Sequence, residues 1–147
     1  MNLSDENIRR EMGKSCACFN LRRAARIVTQ KFDRAFQEAG ITANQFSILM
    51  ASYNQDPILL TRLARFLGME RTTLSRNLSL LESRGLVAIE TGSDKRERRI
   101  TITKKGIALL ERSLPLWQET QNEVVESVGR EQWEEMLTGL QKVSRGL

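Results

Sequence analysis

The chain has 147 residues, 40% of them hydrophobic and 28% charged, which is typical of one globular domain with its own core. It contains no histidine and only two cysteines, which excludes His-based catalytic triads and a disulfide framework. The sequence also lacks a Gly-rich phosphate loop, so we predict a protein that is not an enzyme, with no metal site and no cofactor.

The N-terminus and the apolar runs bear on location. Residues 1–6 are polar and contain no apolar signal segment, and no apolar run approaches the roughly 18 residues needed to cross a bilayer. Two cysteines without a disulfide framework favour a reducing compartment. We therefore expect a cytoplasmic protein without a membrane partner.

The formal net charge of +5 is unevenly distributed along the chain. Residues 58–105 carry 11 basic and 5 acidic side chains, whereas residues 106–147 carry 4 basic and 7 acidic ones. Within the basic segment, Asp94–Lys105 holds six Lys or Arg side chains and two acids. This asymmetry favours a surface that faces phosphates, although a solvated charged surface without a partner would look similar.

The first third of the chain predicts two helices. Apolar residues recur at helical spacing from Lys14 to Ala39, and Gly40 is a typical helix stop. Thr42 is a suitable N-cap for a second helix, which the turn signal of residues 54–57 ends.

The middle of the chain predicts two short helices and then a β-hairpin. The first helix ends at Gly68, and the second starts near Glu70 and stops at Gly85. Alternation of apolar and polar residues predicts strands at Val87–Thr91 and Arg98–Ile102, joined by turn residues 92–95.

The last third predicts a long helix from Thr103 to Val128, in which Pro115 should kink or weaken one turn. Gly129 separates it from a final helix that ends near Ser144. The predicted fold is mainly α with a small β-hairpin wing. We expect a single domain, 1–147, in which a winged helix-turn-helix of about residues 42–105 is flanked by dimerisation helices at about 14–39 and 106–147.

The second helix of the pair has an outer face suited to DNA. With Leu74, Leu78 and Leu81 towards the core, a rotation of about 100° per residue places the outer residues opposite them. These outer residues are Thr72, Arg76, Ser79 and Ser83, with Thr73 and Ser75 on the flanks. Small hydroxyls allow close approach to a major groove, and one Arg can make a bidentate contact to guanine. A solvated helix face usually carries more Lys and Glu than this one.

Several blocks of the sequence resemble the MarR family of bacterial transcription regulators. They are Leu63-Ala64, Leu67-Gly68, Arg71-Thr72-Thr73-Leu74-Ser75-Arg76, Leu81-Glu82-Ser83-Arg84-Gly85-Leu86-Val87, Asp94-Lys95-Arg96 and Ile102-Thr103-Lys104-Lys105-Gly106. The Asp-x-Arg wing followed by Ile-Thr-x-x-Gly is fairly specific, and the resemblance covers nearly the whole chain. It implies a winged helix-turn-helix regulator in which Arg71 joins the DNA-facing residues of the second helix.

The resemblance also implies roles for the wing. Arg96 would enter the minor groove, where the negative potential attracts a guanidinium, and Asp94 would hold it in position. Lys95, Arg98 and Arg99 would contact the DNA backbone, which supplies affinity without sequence information. Lys104 and Lys105 are expected to start the next helix and face solvent.

A homodimer is expected because the end helices carry more apolar surface than one small winged helix needs. The candidates for a second interface are Phe19, Leu116, Trp117, Trp133, Leu137, Leu140 and Leu147. The resemblance implies a two-fold dimer that reads a pseudo-palindromic double-stranded DNA operator. The alternative is that these residues pack within one chain.

Cys16 and Cys18 raise the question of redox sensing. On a helix, two residues apart, they would point about 200° from each other, which disfavours a mutual disulfide. They could simply be small packing residues. In the hydroperoxide sensors of the MarR family, however, a reactive cysteine lies 23 residues before the Ile-Thr that opens the next helix, as Cys18 does here. Arg22 and Phe32 stand where those sensors have tyrosines, and the charge of Arg22, one turn away, would favour a reactive thiolate.

Otherwise the resemblance implies a small aromatic or anionic effector bound between the dimer helices and the DNA-binding lobe. The leading functional prediction is a DNA-binding repressor that a small-molecule ligand releases from its operator. The alternatives are a redox-sensing regulator that uses Cys18 and, third, a winged-helix module for protein–protein contact. The sequence leaves the operator, the effector and the sign of regulation open.

Overall fold

The computed structural model describes residues 6–92 and 97–146 and shows a mainly helical fold with one small antiparallel sheet. In chain order the elements are α1 (Glu6–Ser15), α2 (Ala17–Ala35), α3 (Ala43–Asn54), β1 (Ile58–Leu59), α4 (Leu60–Leu67), α5 (Arg71–Ser83), β2 (Val87–Thr91), β3 (Arg98–Ile102), α6 (Lys104–Val128) and α7 (Arg130–Gly146). This confirms the predicted fold class. Two elements, α1 and β1, were not predicted, and the first predicted long helix is divided into two.

The prediction of one continuous helix over residues 14–39 is wrong, because the helix breaks at Cys16. The backbone there is extended, with φ −61° and ψ 110°. The side-chain amide of Asn20 donates to the carbonyl oxygens of Lys14 (3.1 Å) and Cys16 (2.9 Å), and the backbone N–H of Asn20 also donates to the Cys16 carbonyl at 3.0 Å. Such local side-chain bonds compete with a continuous helix and are not visible in apolar periodicity.

A capping box and a carboxylate fix the junction between α2 and α3. The backbone N–H of Gln45 donates to the Thr42 hydroxyl, and the N–H of Thr42 donates to the Gln45 side chain, both at 3.2 Å. Thr42 is therefore the N-cap, as predicted. In the last turn of α2, the Asp33 carboxylate accepts a hydrogen bond from the N–H of Ala43 at 2.7 Å. This bond joins α2 directly to the first residue of α3.

The sheet has the order β1-β3-β2, with both pairings antiparallel. Ile100 in the central strand pairs with Ile58 on one side and Ile89 on the other. The sequence analysis missed β1, because two residues are too few to show a strand period. Its partner is more than forty residues away in the chain, and only folding brings the two together.

Two glycines are required by the geometry of the winged helix-turn-helix. Gly68 ends α4 in the left-handed conformation (φ 61°), and the next residue, Met69, donates from its N–H to the Ala64 carbonyl at 2.9 Å. Gly106, near the start of α6, lies so close to the residue before β2 that a Cβ atom there would sit 2.2 Å from the Leu86 carbonyl oxygen. The first glycine turns the chain into α5, and the second lets α6 pack against the lobe.

The core fills the space between α3, α4, α5, the sheet and the first half of α6, with side chains such as Ile48, Leu49, Leu63 and Ile100 fully buried. α6 continues through Pro115, so the predicted weakening does not end the helix. By contrast, neither α2 nor the described part of α7 contains a fully buried side chain. Within the described residues, no helix is both long and apolar enough to cross a membrane.

Candidate nucleic-acid interface

Three leucines orient α5 within the lobe. Leu74, Leu78 and Leu81 are each 0% exposed and lie on one side of the helix, as the sequence predicted. The opposite side of α5 consequently faces away from the core.

The outward side of α5 carries the helix residues that were assigned to DNA. Arg71, Thr72, Thr73, Arg76 and Ser79 are exposed, and Ser75 on the flank is half-buried. Apart from the two arginines, these assigned residues have small hydroxyl side chains, which allow close approach of a groove. The structure therefore places these residues on one accessible face, while their contact with DNA stays a prediction.

Leu80 is a residue of this face that the sequence analysis missed. It lies one turn after Arg76 and is 50% exposed, whereas its neighbour Leu81 is 0% exposed. The helical period could have predicted the exposure of Leu80, because a projection from Leu74 places Leu80 outside the buried stripe. An exposed leucine among hydroxyl groups could contact a thymine methyl group.

The wing consists of β2 and β3, and both of its predicted strand arginines are exposed. Arg98 pairs with Thr91 and Arg99 with Glu90 across the hairpin. Because successive side chains of a strand point to opposite faces, the two arginines lie on opposite faces of the wing. The Arg99 guanidinium also lies 4.0 Å from the Glu97 carboxylate, an exposed ion pair of little energetic weight.

The tip of the wing lies outside the described residues, and with it Asp94, Lys95 and Arg96. The last bond before the tip runs from the N–H of Gly92 to the Glu97 carbonyl at 2.8 Å. This bond closes the described part of the hairpin, at the end remote from the start of α6.

The start of α6 is attached to the end of α5 by two side chains. The Thr103 hydroxyl donates to the Gly85 carbonyl at 2.7 Å, and the Lys105 ammonium donates to the Arg84 carbonyl at 2.7 Å. The expectation that Lys105 only faces solvent is therefore wrong. A cation at the C-terminal end of a helix is favourably placed, because the free carbonyl groups there carry partial negative charge.

The two cysteines lie beside the break between α1 and α2. Cys16 is the residue with extended backbone that links the two helices, and its side chain is half-buried. Cys18 is exposed in the first turn of α2. They line one shallow groove together with Arg22, Arg23 and Arg26. Cys16 precedes α2 and Cys18 lies within it, so the two thiols do not share one continuous helix as was predicted.

A cavity of about 470 Å³ lies between α2, α3, α4 and α6. α4 is the first helix of the helix-turn-helix, so the cavity borders both the N-terminal helices and the candidate DNA-binding lobe. Trp117 lines this cavity and packs against the core. Leu116 also packs against the core but does not line the cavity. The expectation that these two residues belong to a second interface is therefore not supported by their packing.

Other candidates for a second interface are accessible. Phe19 on α2 is 53% exposed, and Leu137 on α7 is 38% exposed. Trp133 and Leu140 are half-buried, and Leu147 lies outside the described residues. Ile27 on α2, which was not among the predicted candidates, is 55% exposed.

A helix-turn-helix whose second helix presents arginines and hydroxyl groups outward, followed by a hairpin with exposed arginines, defines a winged helix-turn-helix protein. A MarR family model matches residues 39–97, from before α3 into the wing. The structure of the Mycobacterium tuberculosis transcriptional regulator MosR in complex with DNA is 39% identical, with 90% of this chain and 96% of that chain covered and a TM-score of 0.81. The chain belongs to the MarR family of DNA-binding transcription regulators.

Two further relatives show the breadth of the similarity. The transcriptional repressor CouR bound to p-coumaroyl-CoA is 25% identical, with 93% of this chain and 96% of that chain covered and a TM-score of 0.82. The uncharacterized regulator YwoH of Bacillus subtilis is 27% identical over 86 residues. That match spans 58% of this chain and 63% of the length of YwoH.

Proposed function

We propose that this chain is a transcriptional repressor that binds a specific DNA operator as a homodimer and is released from it by a small molecule. The observation that carries the proposal is the outward face of α5, where Arg71, Thr72, Thr73, Arg76 and Ser79 are accessible. The similarity to a regulator whose structure was determined with DNA supports the same partner here.

The face of α5 reads base edges in the major groove, with Arg76 as the main candidate for guanine. The wing lies beside the adjacent minor groove, where Arg96 inserts and Asp94 holds its guanidinium. Lys95, Arg98 and Arg99 contact phosphates. Arg98 and Arg99 lie on opposite faces of the hairpin, so they contact phosphates on different sides of the wing.

The dimer is built from the end helices, which are long and amphipathic and whose apolar side chains are not covered within one chain. Neither α2, with 19 residues, nor the described part of the 17-residue α7 has a fully buried side chain, and both expose large apolar groups. Those groups are Phe19, Leu21 and Ile27 on α2 and Met136, Leu137 and Val143 on α7. A second copy covers them and sets two α5 helices on half-sites about one DNA turn apart.

Sedimentation of the wild type and of Leu137→Glu, which places a charge on the proposed interface, tests the dimer. A wild-type monomer at micromolar concentration contradicts it.

Ligand release is attributed to the cavity between α2, α3, α4 and α6. A molecule bound there contacts α4, which packs against α5, and also α2, which belongs to the dimer. Binding would therefore favour one spacing of the two α5 helices over another and shift the population away from the DNA-bound state. CouR bound to p-coumaroyl-CoA is a relative with a small-molecule complex.

The experiment for DNA binding is selection from a random double-stranded library, followed by anisotropy titration of the selected site at several salt concentrations. We expect a pseudo-palindromic motif and an affinity that falls steeply with salt. Recovery of no motif, together with affinity independent of salt, would overturn the proposal and favour a protein-binding role.

Redox sensing through Cys18 is the second candidate. The exposure of Cys18 and its position in an arginine-lined groove favour it. A hydroperoxide would transfer one oxygen to the thiolate, giving a sulfenic acid and an alcohol or water. Peroxide should then lower DNA affinity in the wild type and in Cys16→Ser but not in Cys18→Ser. Equal sensitivity of the two variants, or none in the wild type, eliminates this candidate.

A further inference from the structure

A cleft of about 230 Å³ lies where the short strand β1 joins the helix-turn-helix to the wing. It opens beside the turn that leads from α3 into β1, and no residue of α5 lines it. Two of its lining residues are arginines, one from α4 and one from β3, and none of the lining residues is acidic. The lining consists of Gln55, Pro57, Ile58, Leu59, Arg62 and Arg99.

Strand pairing brings the two arginines of this cleft together. Arg99 on β3 is the antiparallel partner of Leu59 on β1. Leu59 is also the N-cap of α4, and Arg62 lies in the first turn of that helix. Both arginines are exposed, and they line one cleft although they are far apart in the chain. The two-residue strand β1 thus sets a cation of the helix-turn-helix beside a cation of the wing.

The positive charge of this cleft has little compensation within the chain. Arg62 makes no ion pair with any residue that the structure describes. Arg99 has one at 4.0 Å, to the Glu97 carboxylate, which leaves most of its N–H donors free. Glu90 lies opposite Arg99 on β2, on the side away from β1, and is not ion-paired with it. Two guanidinium groups that share a cleft repel each other, whereas an anion between them attracts both.

A phosphate group is the anion that suits this cleft. The planar fork of a guanidinium matches the geometry of phosphate oxygens and can bind two of them at once. Gln55, which is half-buried and lines the same cleft, has an amide that can donate a further hydrogen bond. Pockets for complete small ligands generally measure about 300–1,000 Å³. A cleft of about 230 Å³ therefore takes one charged group of a larger molecule.

The position of the cleft in the fold selects DNA as the source of that phosphate. α4 is the first helix of the helix-turn-helix, and in such motifs this helix crosses the DNA backbone while the second helix enters the major groove. Arg99 belongs to the wing, on the face of the hairpin opposite Arg98. Since a wing in the minor groove has a sugar-phosphate strand on each side, the cleft faces one strand and Arg98 the other.

We propose that Arg62 and Arg99 together bind one phosphate of the DNA backbone, in a strand that borders the minor groove occupied by the wing. The inference rests on the proposed operator binding and adds to it a direct DNA contact from α4, through Arg62. It also divides the wing arginines, because Arg99 shares its phosphate with Arg62 whereas Arg98 contacts the opposite strand. The shared contact adds affinity and salt dependence without base preference.

Methylphosphonate substitution of the selected DNA site tests the shared contact. One phosphate at a time is replaced by an uncharged methylphosphonate, and anisotropy titration compares the wild type, Arg62→Ala and Arg99→Ala on each duplex. We expect one position in each half-site at which the substitution weakens wild-type binding about three- to tenfold. The same substitution should have a much smaller effect on both variants, because each has already lost part of the contact.

Arg65→Ala is the matched control, because Arg65 is an exposed arginine of the same helix that does not line the cleft. It should respond to every substituted duplex as the wild type does. Arg62→Ala should also make the slope of log affinity against log salt shallower by about one unit per contact, with thermal unfolding showing that it is folded. A response of Arg62→Ala equal to that of Arg65→Ala overturns the site, and so does an effect of Arg62→Ala and Arg99→Ala at two different positions.

Calorimetric titration with pyrophosphate in the absence of DNA separates the backbone from a free phosphorylated molecule. We expect no binding at micromolar concentration. Micromolar binding that Arg62→Ala abolishes, without a responsive methylphosphonate position, overturns DNA as the source of the phosphate.

The wild-type titrations distinguish the two levels of the proposal. Loss of sequence-specific DNA binding by the wild type would overturn the proposed regulator function. Specific binding without a responsive position would overturn only the phosphate site of Arg62 and Arg99.

Discussion

The carboxylate of Glu82, in the last turn of α5, accepts a hydrogen bond from the backbone N–H of Ile89 at 3.2 Å. Ile89 belongs to β2, which is an edge strand of the sheet, and its N–H points away from β3. Glu82 thus accepts from an N–H group of β2 that has no partner in the sheet, and this bond joins α5 to the wing. Under the proposed function, this bond would help to set the relative position in which α5 and the wing enter adjacent grooves.

Replacement of Glu82 by alanine should therefore weaken DNA binding without unfolding the protein. A hydrogen bond of this kind contributes about 0.5–1.5 kcal/mol, so we expect an affinity loss of about two- to tenfold. Glu82→Gln keeps an acceptor and should stay closer to the wild type. Anisotropy titration measures both, and an alanine variant that binds as tightly as the glutamine variant would show that the bond does not position the wing.

Arg76→Ala should relax base preference at one position of each half-site. Loss of a bidentate contact to guanine costs about 1–3 kcal/mol of discrimination against the wrong base. Selection from a random library with the variant and the wild type measures the change. Arg112→Ala, an exposed arginine on α6, is the matched control, and identical motifs from all three proteins would remove Arg76 from the base-reading residues.

Arg96→Ala should weaken operator binding by about 1–3 kcal/mol per half-site, because the minor-groove contact is lost. Titration at a fixed salt concentration measures it, with Arg112→Ala again as the control. Unchanged affinity in the Arg96 variant would contradict the assignment of the wing tip.

Arg98→Ala should behave differently from Arg96→Ala, because a phosphate contact carries no sequence information. We expect affinity to fall uniformly across sequences and the slope of log affinity against log salt to become shallower by about one unit per contact. The same titration repeated over a range of salt concentrations gives this slope. A slope equal to that of the wild type would place Arg98 away from the DNA backbone.

Gly106→Ala should destabilise the fold, since the added Cβ would lie 2.2 Å from the Leu86 carbonyl oxygen and 2.8 Å from the Ile102 side chain. Overpacking of this kind costs about 1–3 kcal/mol in the free energy of unfolding. Gly139→Ala is the matched control, because outside its own helix no atom of the chain lies within 4 Å of the added Cβ and the residue is helical. It should stabilise α7 by about 0.5–1 kcal/mol. Urea denaturation compares the two, and opposite signs are expected.

Much of the fold was predictable because local rules and packing agree. The stripe of Leu74, Leu78 and Leu81 and the flanking glycines predicted α5 and its orientation. Thr42 predicted the start of α3 through its capping box. The same stripe predicted which side of α5 would carry Thr72 and Arg76, since a helix has one fixed angular period. Leu80 could have been assigned by the same projection.

The sequence by itself determined which residues face outward on α5, that a basic hairpin follows, and that the chain resembles the MarR family, because these depend on local periodicity and spacing. Only the tertiary structure decided the break at Cys16, the pairing of β1 with β3, the bond of Lys105 to the Arg84 carbonyl, and the gathering of aromatic rings from four helices into one cavity. Each of these depends on groups that lie apart in the chain or on a side chain competing for backbone bonds. Apolar periodicity contains neither kind of information.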